Sequence, residues 1–404
     1  MLWTLLLVLT ATWTTWSCVA LYRNYKLARM INLPIILEPV SSLNIPWLIF
    51  NQLLKLHPLL SKFRDRFIRR YMRFSYMGWQ FDLGWRVHEE IGPAFVLVSP
   101  GMVQVVVADT AAACDILARR KDFIKPAMLY EGLKVFGPNL NTAEGEVWQR
   151  HRRLTAPSFN EKISSSVWRE AMRQSEQMLA YWKSFGPAGV ASTVDDTATL
   201  TLHVLTACGF DVRNDFHDTT AAPKGHQLSY RSAIMLILRR LALLLIFPMD
   251  SLSHPLMPKI CQELGIACKE FKSYVGEMLA KERALSKQQS RSSNTLLANL
   301  VRASDAETNS KASIGLSDQE INGNMFIFTL AGHETTANTV ATALFYLARY
   351  PDYQEWMREE LRHVLGDIGP DGGNYDEVFP RLKRCLAVMV SPDNGSAPAL
   401  TMTA

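Results

Sequence analysis

Apolar residues recur with a helical period along most of this 404-residue chain. Apolar positions three and four residues apart predict helices at 109–120, 164–185 and 193–210. A different pattern occurs at 94–98 and 103–107, where two short β-branched runs flank a Ser-Pro-Gly turn and predict a hairpin. The pattern as a whole predicts one large domain that is mainly α with a small β element.

The longest predicted element is a helix at 318–349. Ser317 followed by Glu320 forms a capping box, and no proline interrupts the sequence before Pro351. At about 1.5 Å per residue this helix is about 48 Å long, which is enough to cross a whole domain. The segment 351–367 then predicts a new helix, with charges spaced for ion pairs on its surface.

The N-terminus predicts a membrane anchor. Residues 1–22 carry no charge and are mostly apolar, and about 20 apolar residues span a bilayer as a helix. The basic residues that follow, Arg23, Lys26 and Arg29, favour a cytosolic position for the rest of the chain. A cleaved signal peptide is the alternative, although its basic residues usually precede the apolar stretch. The next apolar segment, 45–60, predicts either a helix on the membrane surface or a buried helix.

Composition excludes some classes of function. Hydrophobic residues make up 48% of the chain and charged residues 20%, which is typical of a globular protein. The net charge of +5 is mild, and no Lys/Arg-rich run is interleaved with aromatic residues, so we expect no nucleic-acid partner. The six cysteines are scattered and form no C-x-x-C pair, which suits a reducing compartment better than a disulfide scaffold.

The middle of the long helix carries unusual polar residues. The stretch TLAGHETTANTV, 329–340, contains a glycine, Gly332, and a carboxylate, Glu334. A carboxylate rarely enters a core unless it is paired or used, so one interpretation is a ligand site that delivers protons. The alternative is a helix-packing device in which threonines bond back to preceding carbonyls. A zinc helix of the H-E-x-x-H kind is excluded because Ala337 replaces the second histidine, and we predict no metal-ligating residues.

This stretch resembles the oxygen-activation motif of the cytochrome P450 central helix, in the form AGHETT. EVWQRHRRLTAPSFN, at 146–160, resembles the W-x-x-x-R helix of that family, and YPDYQEWMREELRHVLG, at 350–366, resembles the helix after the central one. The order and spacing agree along residues 1 to about 389. The resemblance, and the N-terminal anchor with it, implies a microsomal, eukaryotic or fungal-like P450 helical domain.

The resemblance implies a haem cofactor with Trp148 and Arg152 on one of its propionates. An arginine guanidinium matches a carboxylate bidentately, and an indole N–H adds a donor. The alternatives are ordinary core packing for Trp148 and a solvated helix face for Arg152.

The same resemblance implies the roles of five residues on the central helix. Ala331 and Gly332 would leave room for dioxygen. Glu334 and Thr335 would be the catalytic residues that relay protons to the oxygen, and Thr336 would support them.

A substrate pocket follows from the resemblance as well. The loop 125–145 and the apolar helix 230–247 would line it, and the loop residues are largely apolar: Met128, Leu129, Leu133 and Phe136. This implies an apolar small-molecule substrate, such as a lipid-like compound or a secondary metabolite. NADPH-cytochrome P450 reductase and the endoplasmic reticulum membrane, with the catalytic domain in the cytosol, are the implied partners and location.

The proximal half of a P450 site is not predicted in this chain. The family's axial thiolate lies in an F-x-x-G-x-R-x-C-x-G loop after an E-x-x-R helix, and we find neither in its expected place. Cys385, the cysteine after the central helix, comes too early. Two E-x-x-R matches, Glu355 to Arg358 and Glu359 to Arg362, are interpreted as ion pairs on a solvated helix face.

The predicted organisation has four parts: an anchor at 1–22, a linker and membrane-proximal segment at 23–60, an incomplete P450-like domain at 61–389, and a disordered tail at 390–404. The tail is small, polar and unpatterned. Its Val-Ser start can be encoded by the splice-donor sequence GTGAGT, so we expect a retained intron or a frameshift.

Two functions from different classes follow. The first is a haem-dependent P450 monooxygenase that is inactive as this truncated chain. The alternative is a non-catalytic, membrane-anchored, P450-like protein that binds an apolar ligand or a partner. An unrelated helical membrane-associated binding protein would not explain the combined motifs.

Overall fold

The computed structural model describes residues 2–44, 46–48, 50–51, 62, 66, 71–76, 78–126, 130–217, 222–287, 295–309, 315–366 and 374–390. These residues fall into two compact units, which we call unit 1 (up to Ile124) and unit 2 (Lys125–Ser391). The predicted domain boundaries stay predictions. All of the predicted tail except Val390 lies outside the described residues.

Unit 1 combines helices with a small sheet. Its elements in chain order are α1 (Leu2–Arg29), β1 (Ile35–Leu37), α2 (Trp79–Leu83), α3 (Arg86–Ile91), β2 (Ala94–Val98), β3 (Val103–Val107) and α4 (Thr110–Ala118). The sheet order is β1-β2-β3. β2 pairs antiparallel with β3, with Val96 opposite Val105, so the predicted hairpin is confirmed. β1, which no pattern predicted because it has only three residues, pairs parallel with β2.

The predicted membrane anchor is not supported. A helix, α1, does form at this position, but several of its threonines bond back to carbonyls of the preceding turn, such as Thr12 to Val8 at 2.7 Å. In the part of the chain that the structure describes, no helix combines the length and the apolar character needed to cross a membrane. The physical reason lies in residues 1–22, where five threonines and three tryptophans dilute the aliphatic run. Most of the segment 45–60 lies outside the described residues, so both of its interpretations stay open.

Unit 2 is helical. Its helices in chain order are α5 (Gly145–Thr155), α6 (Glu161–Ser184), α7 (Thr193–Phe210), α8 (Tyr230–Arg239), α9 (Leu241–Ile246), α10 (Lys259–Lys287), α11 (Leu296–Asn309), α12 (Asp318–Arg349), α13 (Pro351–Gly366), α14 (Tyr375–Val378) and α15 (Lys383–Val390). Short 3-10 turns join some of them, such as Glu131–Leu133 before α5.

The long predicted helix is confirmed as α12, with 32 residues and both hydrogen bonds of the capping box. The helix predicted at 230–247 is wrong as a single element, because the chain breaks at Arg240 into α8 and α9. The Arg240 guanidinium donates to the Ile260 carbonyl (2.9 Å) and to Glu263 (2.8 Å), both on α10, and these partners explain the break. α10 itself was not predicted.

The core of unit 2 lies where α12 meets α8, α10 and α11. Three phenylalanines form its centre. The ring of Phe136 lies 4.5 Å from that of Phe271 and 4.8 Å from that of Phe326, between centroids. Phe136 was predicted to line a substrate pocket, but it is 4% exposed and belongs to this core. Met128 and Leu129, from the same prediction, lie outside the described residues.

Candidate functional site

The AGHETT stretch presents different residues on the two sides of α12. Ala331, Glu334 and Thr335 are exposed, and their i, i+3, i+4 spacing places them on one face. Thr336 is exposed beside them, whereas His333 is 4% exposed. The motif is therefore a junction between a packed face and an open face.

The threonines of the open face bond to their own helix. The Thr335 hydroxyl donates to the Ala331 carbonyl oxygen at 2.5 Å, and the Thr339 hydroxyl donates to the Thr335 carbonyl at 2.8 Å. This is the back-bonding that the packing alternative predicted. The Thr335 side chain nevertheless stays exposed, so back-bonding does not place it in a helix interface.

His333 joins the motif to α7. Its Nε2 donates to the Ala198 carbonyl at 3.0 Å, and the Thr201 hydroxyl donates to the His333 carbonyl at 3.4 Å. Burial lowers the pKa of His333, while the bond to Ala198 and the charge of Glu334 oppose that shift. The residue that the sequence left without a role is therefore the one that packs the motif against its neighbour.

The pKa of His333 predicts a pH-dependent stability. Because the folded-state pKa is lowered, the unfolded chain takes up the proton first as pH falls. The stability that the neutral ring contributes is therefore present above about pH 6.5, the unfolded value, and is lost as pH falls through the folded value. His333→Gln keeps an N–H donor for Ala198 without titrating. We expect wild type to lose more stability than this variant between pH 8 and pH 5 in urea denaturation; parallel losses would contradict the assignment.

Gly332 lies between the two faces. A Cβ built there would lie 3.5 Å from Cδ1 of Leu205 on α7, which is ordinary van der Waals contact. Packing against α7 therefore tolerates alanine. Glycine costs about 1 kcal/mol relative to alanine in a helix interior, and packing against α7 does not offset that cost.

α5 carries the two residues predicted to bind a propionate. Arg152 is exposed and Trp148 is half-buried on this helix. The neighbouring residues Arg150 and His151 point to α12 instead. The Arg150 guanidinium donates to the Gly315 carbonyl at 2.8 Å and forms a bidentate ion pair with Glu320. α5 is therefore fastened to α12 by one set of side chains and exposes the other.

A buried polar network completes this junction. The His151 side chain is fully buried, with Nε2 3.1 Å from Glu320 Oε1, and Asn324 lies beside it. Burial works against ionisation of Glu320, but the Ser317 N–H, His151 and Arg150 together hold its pKa below the usual range. Sequence reasoning found Glu320 only as a capping residue. Its other partners are about 170 positions away, and no local pattern indicates them.

Three cysteines of unit 2, Cys208, Cys268 and Cys385, have a raised pKa. Burial raises the pKa of Cys208 to about 11 and that of Cys268 to about 12. Burial and the Glu360 carboxylate raise the pKa of Cys385, whose backbone N–H also donates to that carboxylate at 3.1 Å. Within the described residues, no group of three or more His, Cys, Asp or Glu side chains is placed to hold a metal ion.

The first E-x-x-R match, Glu355 to Arg358, forms a surface ion pair, as predicted. Arg358 pairs with Glu355 at 2.6 Å, and both side chains are about half exposed. The second match is not a pair by itself, because Arg362 also bonds to Glu355 (2.8 Å) and Glu359 bonds to Arg384 on α15 (2.9 Å).

Comparison with known proteins identifies the class. The cytochrome P450 family model matches residues 78–372, so the chain belongs to the cytochrome P450 family. A cytochrome P450 monooxygenase of Arthrobotrys oligospora is 30% identical over 91% of this chain and 65% of its own length. One of Penicillium roqueforti is 31% identical over 93% of this chain and 68% of its own length. The chain thus spans about two thirds of the length of these fungal relatives.

A third relative carries a second activity in its name. It is a bifunctional cytochrome P450/NADPH–P450 reductase of Bacillus subtilis, 26% identical over 71% of this chain and 26% of its own length.

The family's cofactor is haem iron, and the described residues fit one part of its site. An exposed arginine and a half-buried tryptophan on α5 are suited to a propionate, and the small, open Ala331 face of α12 suits a flat ligand. Burial raises the pKa of the Cys208, Cys268 and Cys385 thiols, which works against the thiolate form of an axial ligand.

Proposed function

We propose that this chain forms the distal and propionate-binding side of a P450 monooxygenase site for an apolar small molecule. One observation carries the proposal: α5, with Arg152 exposed, is bound through Arg150 and His151 to α12. α12 in turn exposes Ala331, Glu334 and Thr335 on one face. The residues that share a role are thus on two helices in direct contact.

Each residue has a proposed task that follows from its chemistry. Arg152 binds a propionate through its fork of N–H donors, and the indole N–H of Trp148 adds a further donor. When bound, haem supplies the redox chemistry with dioxygen.

On α12, the small residues Ala331 and Gly332 allow a small molecule to approach the helix backbone closely. The exposed Glu334 carboxylate exchanges protons with solvent. Thr335 passes a proton through Oγ1 when its bond to the Ala331 carbonyl opens, and Thr336 extends this polar edge.

The proposal extends to partners. The Bacillus relative joins P450 and NADPH–P450 reductase in one chain by its name, and this supports a separate NADPH-cytochrome P450 reductase as the electron donor here. The apolar substrate class rests on the partly buried, aliphatic residues of α8, such as Met235 and Leu238. The endoplasmic reticulum location stays a prediction.

We propose further that residues 1–404 by themselves do not carry out the oxygenation. The positions of two cysteines support this, because Cys268 is fully buried inside α10 and Cys385 lies beside the Glu360 carboxylate, whose charge opposes a thiolate. The second candidate, a non-catalytic P450-like protein that binds an apolar ligand or a partner, rests on the same observation.

A carbon monoxide spectrum tests these proposals. The chain is expressed with a haem precursor, purified, reduced and exposed to carbon monoxide. We expect haem binding without the red-shifted Soret band of a thiolate-ligated haem; that band would disprove the claim about the cysteines.

Haem titration tests the propionate assignment separately. Arg152→Ala should weaken haem binding about tenfold or more, since hydrogen bonds to charged groups contribute about 1.5–3 kcal/mol. Arg153→Ala, at the exposed neighbouring position, is the matched control and should change the affinity by much less. Equal effects of the two substitutions would contradict the assignment.

A further inference from the structure

The loop that precedes α5 touches the first half of α12 backbone to backbone. We call residues 135–143 the contact loop. At Gly323 on α12, an added Cβ would lie 2.5 Å from the carbonyl oxygens of both Gly137 and Pro138. Gly137, on the loop side of this contact, has no room for a side chain either. A Cβ added there would collide with the Gln319 carbonyl oxygen, and the φ of +133° suits glycine. Larger residues fit at neither position unless the loop moves.

One amide side chain ties the contact loop, α5 and α12 together. Asn324 is fully buried, and its Oδ1 accepts the Leu140 N–H at 2.9 Å. Its Nδ2 donates to the Glu320 carbonyl at 2.7 Å and lies 3.0 Å from Nδ1 of His151 on α5. Loss of the Asn324 side chain would remove these partners from the part-buried Leu140 N–H and from Nδ1 of the fully buried His151.

The contact loop continues almost directly into α5. It ends at residue 143, and α5 begins at Gly145 and carries Trp148 and Arg152. A displacement of the loop on α12 is therefore transmitted over one or two residues to the start of α5.

We propose that Gly323 and Asn324 are positioning residues, which hold the contact loop and α5 as one block at a set place on α12. The inference rests on the proposed function, in which Arg152 of α5 and the Ala331–Thr335 face of α12 act on the same ligand. Gly323 sets how near the block comes, and Asn324 sets where along α12 it is bonded. Neither residue touches the ligand.

The position of α5 relative to α12 matters because a shift of about 1 Å in a remote element can lower the rate of a catalysed reaction about 100-fold. Gly323 lies eight residues before Ala331, about 12 Å along the helix axis, so it acts on the ligand through α5. A helix-packing role alone predicts lower stability but no defined change in the α5–α12 distance.

The test measures that distance. Spin labels are attached through an unnatural amino acid at position 149 on α5 and position 338 on α12, which are both exposed. Double electron–electron resonance then measures the distance between the two labels in wild type, Gly323→Ala, Asn324→Ala and the control Gly276→Ala. Gly276 is an exposed glycine inside α10, and a Cβ there would meet nothing within 4 Å. Amide exchange of the contact loop and of α7, together with haem titration, is recorded on the same proteins.

We expect a shift or broadening of about 2 Å in the label distance for Gly323→Ala and Asn324→Ala. Exchange at the Leu140 amide should accelerate about tenfold or more, whereas α7 amides should change little. Gly276→Ala should leave the label distance and the loop exchange unchanged. Haem affinity should fall about tenfold in both site variants but not in the control.

Several outcomes overturn the proposal. An unchanged label distance in both variants does so, and so does a shifted distance that leaves haem affinity at the wild-type value. If Gly323→Ala unfolds the protein, the proposal is judged on Asn324→Ala, which removes side-chain atoms instead of adding them. If wild type binds no haem, the proposed function fails, and the label distance still shows whether Gly323 and Asn324 position α5.

Discussion

Replacing Glu320 with alanine is expected to lower the free energy of unfolding of unit 2 by about 3 kcal/mol or more. The side chain is 11% exposed and forms a bidentate ion pair with Arg150, whose side chain is 22% exposed. It also bonds to the buried His151 and to the N–H of Ser317 at the start of α12. Alanine removes all of these bonds and leaves the remaining groups without their partner in a largely buried site.

The measurement is urea denaturation followed by helical circular dichroism. Glu320→Gln separates charge from hydrogen bonding, because it keeps an acceptor for Ser317 and should cost less than alanine. Glu355→Ala is the matched surface control on α13. Its ion pairs are about half exposed and should contribute at most about 1 kcal/mol. A loss for Glu320→Ala no larger than that of the control would show that the network does not stabilise the junction of α5 and α12.

Truncation of Phe326 to alanine should have the second large effect, a loss of about 3–5 kcal/mol. This ring is fully buried on α12 and lies 4.8 Å from Phe136 and 6.0 Å from Phe271, between centroids. Alanine removes most of the side chain and leaves a cavity at a point where the contact loop and two helices meet. A packed core recovers only part of that cost by relaxing.

Phe345→Ala on the same helix is the matched control for Phe326→Ala. Its ring is 55% exposed, so the substitution should change the free energy of unfolding by about 0.5 kcal/mol or less. Phe326→Leu should lie between the two. Similar effects of the Phe326 and Phe345 truncations would contradict the description of this core.

Local patterns were sufficient for several elements. α12 was predicted to its final residues because its start is a capping box and its end lies beside a proline, and both are visible in a few consecutive residues. The hairpin was predicted because a Ser-Pro-Gly turn joins two β-branched runs. α4 followed from the apolar spacing at 109–120, and the structure adds its N-cap, because the Asp109 side chain accepts the Ala112 N–H at 2.7 Å.

Local sequence patterns failed where contacts with residues distant in the sequence determine the structure. The apolar run 230–247 has no local signal for a break, and the partners of Arg240 lie on α10, about 20 residues further on. Phe136 is apolar and lies in a loop, which suits a pocket wall and a core equally well. Its contacts with Phe271 and Phe326 place it in the core.

By itself, the sequence determined the family and the long helix, and it supplied the residues of the proposed site. The motifs AGHETT and W-x-x-x-R are contiguous, so they can be read without knowing which elements touch. The tertiary structure alone decided how neighbouring residues divide between tasks. His333 faces α7 and Glu334 faces the open side, and Arg150 and His151 bind Glu320 whereas Arg152 remains exposed. The reason is physical: helical periodicity tells which residues share a face, but only the packing of other helices determines which face is buried.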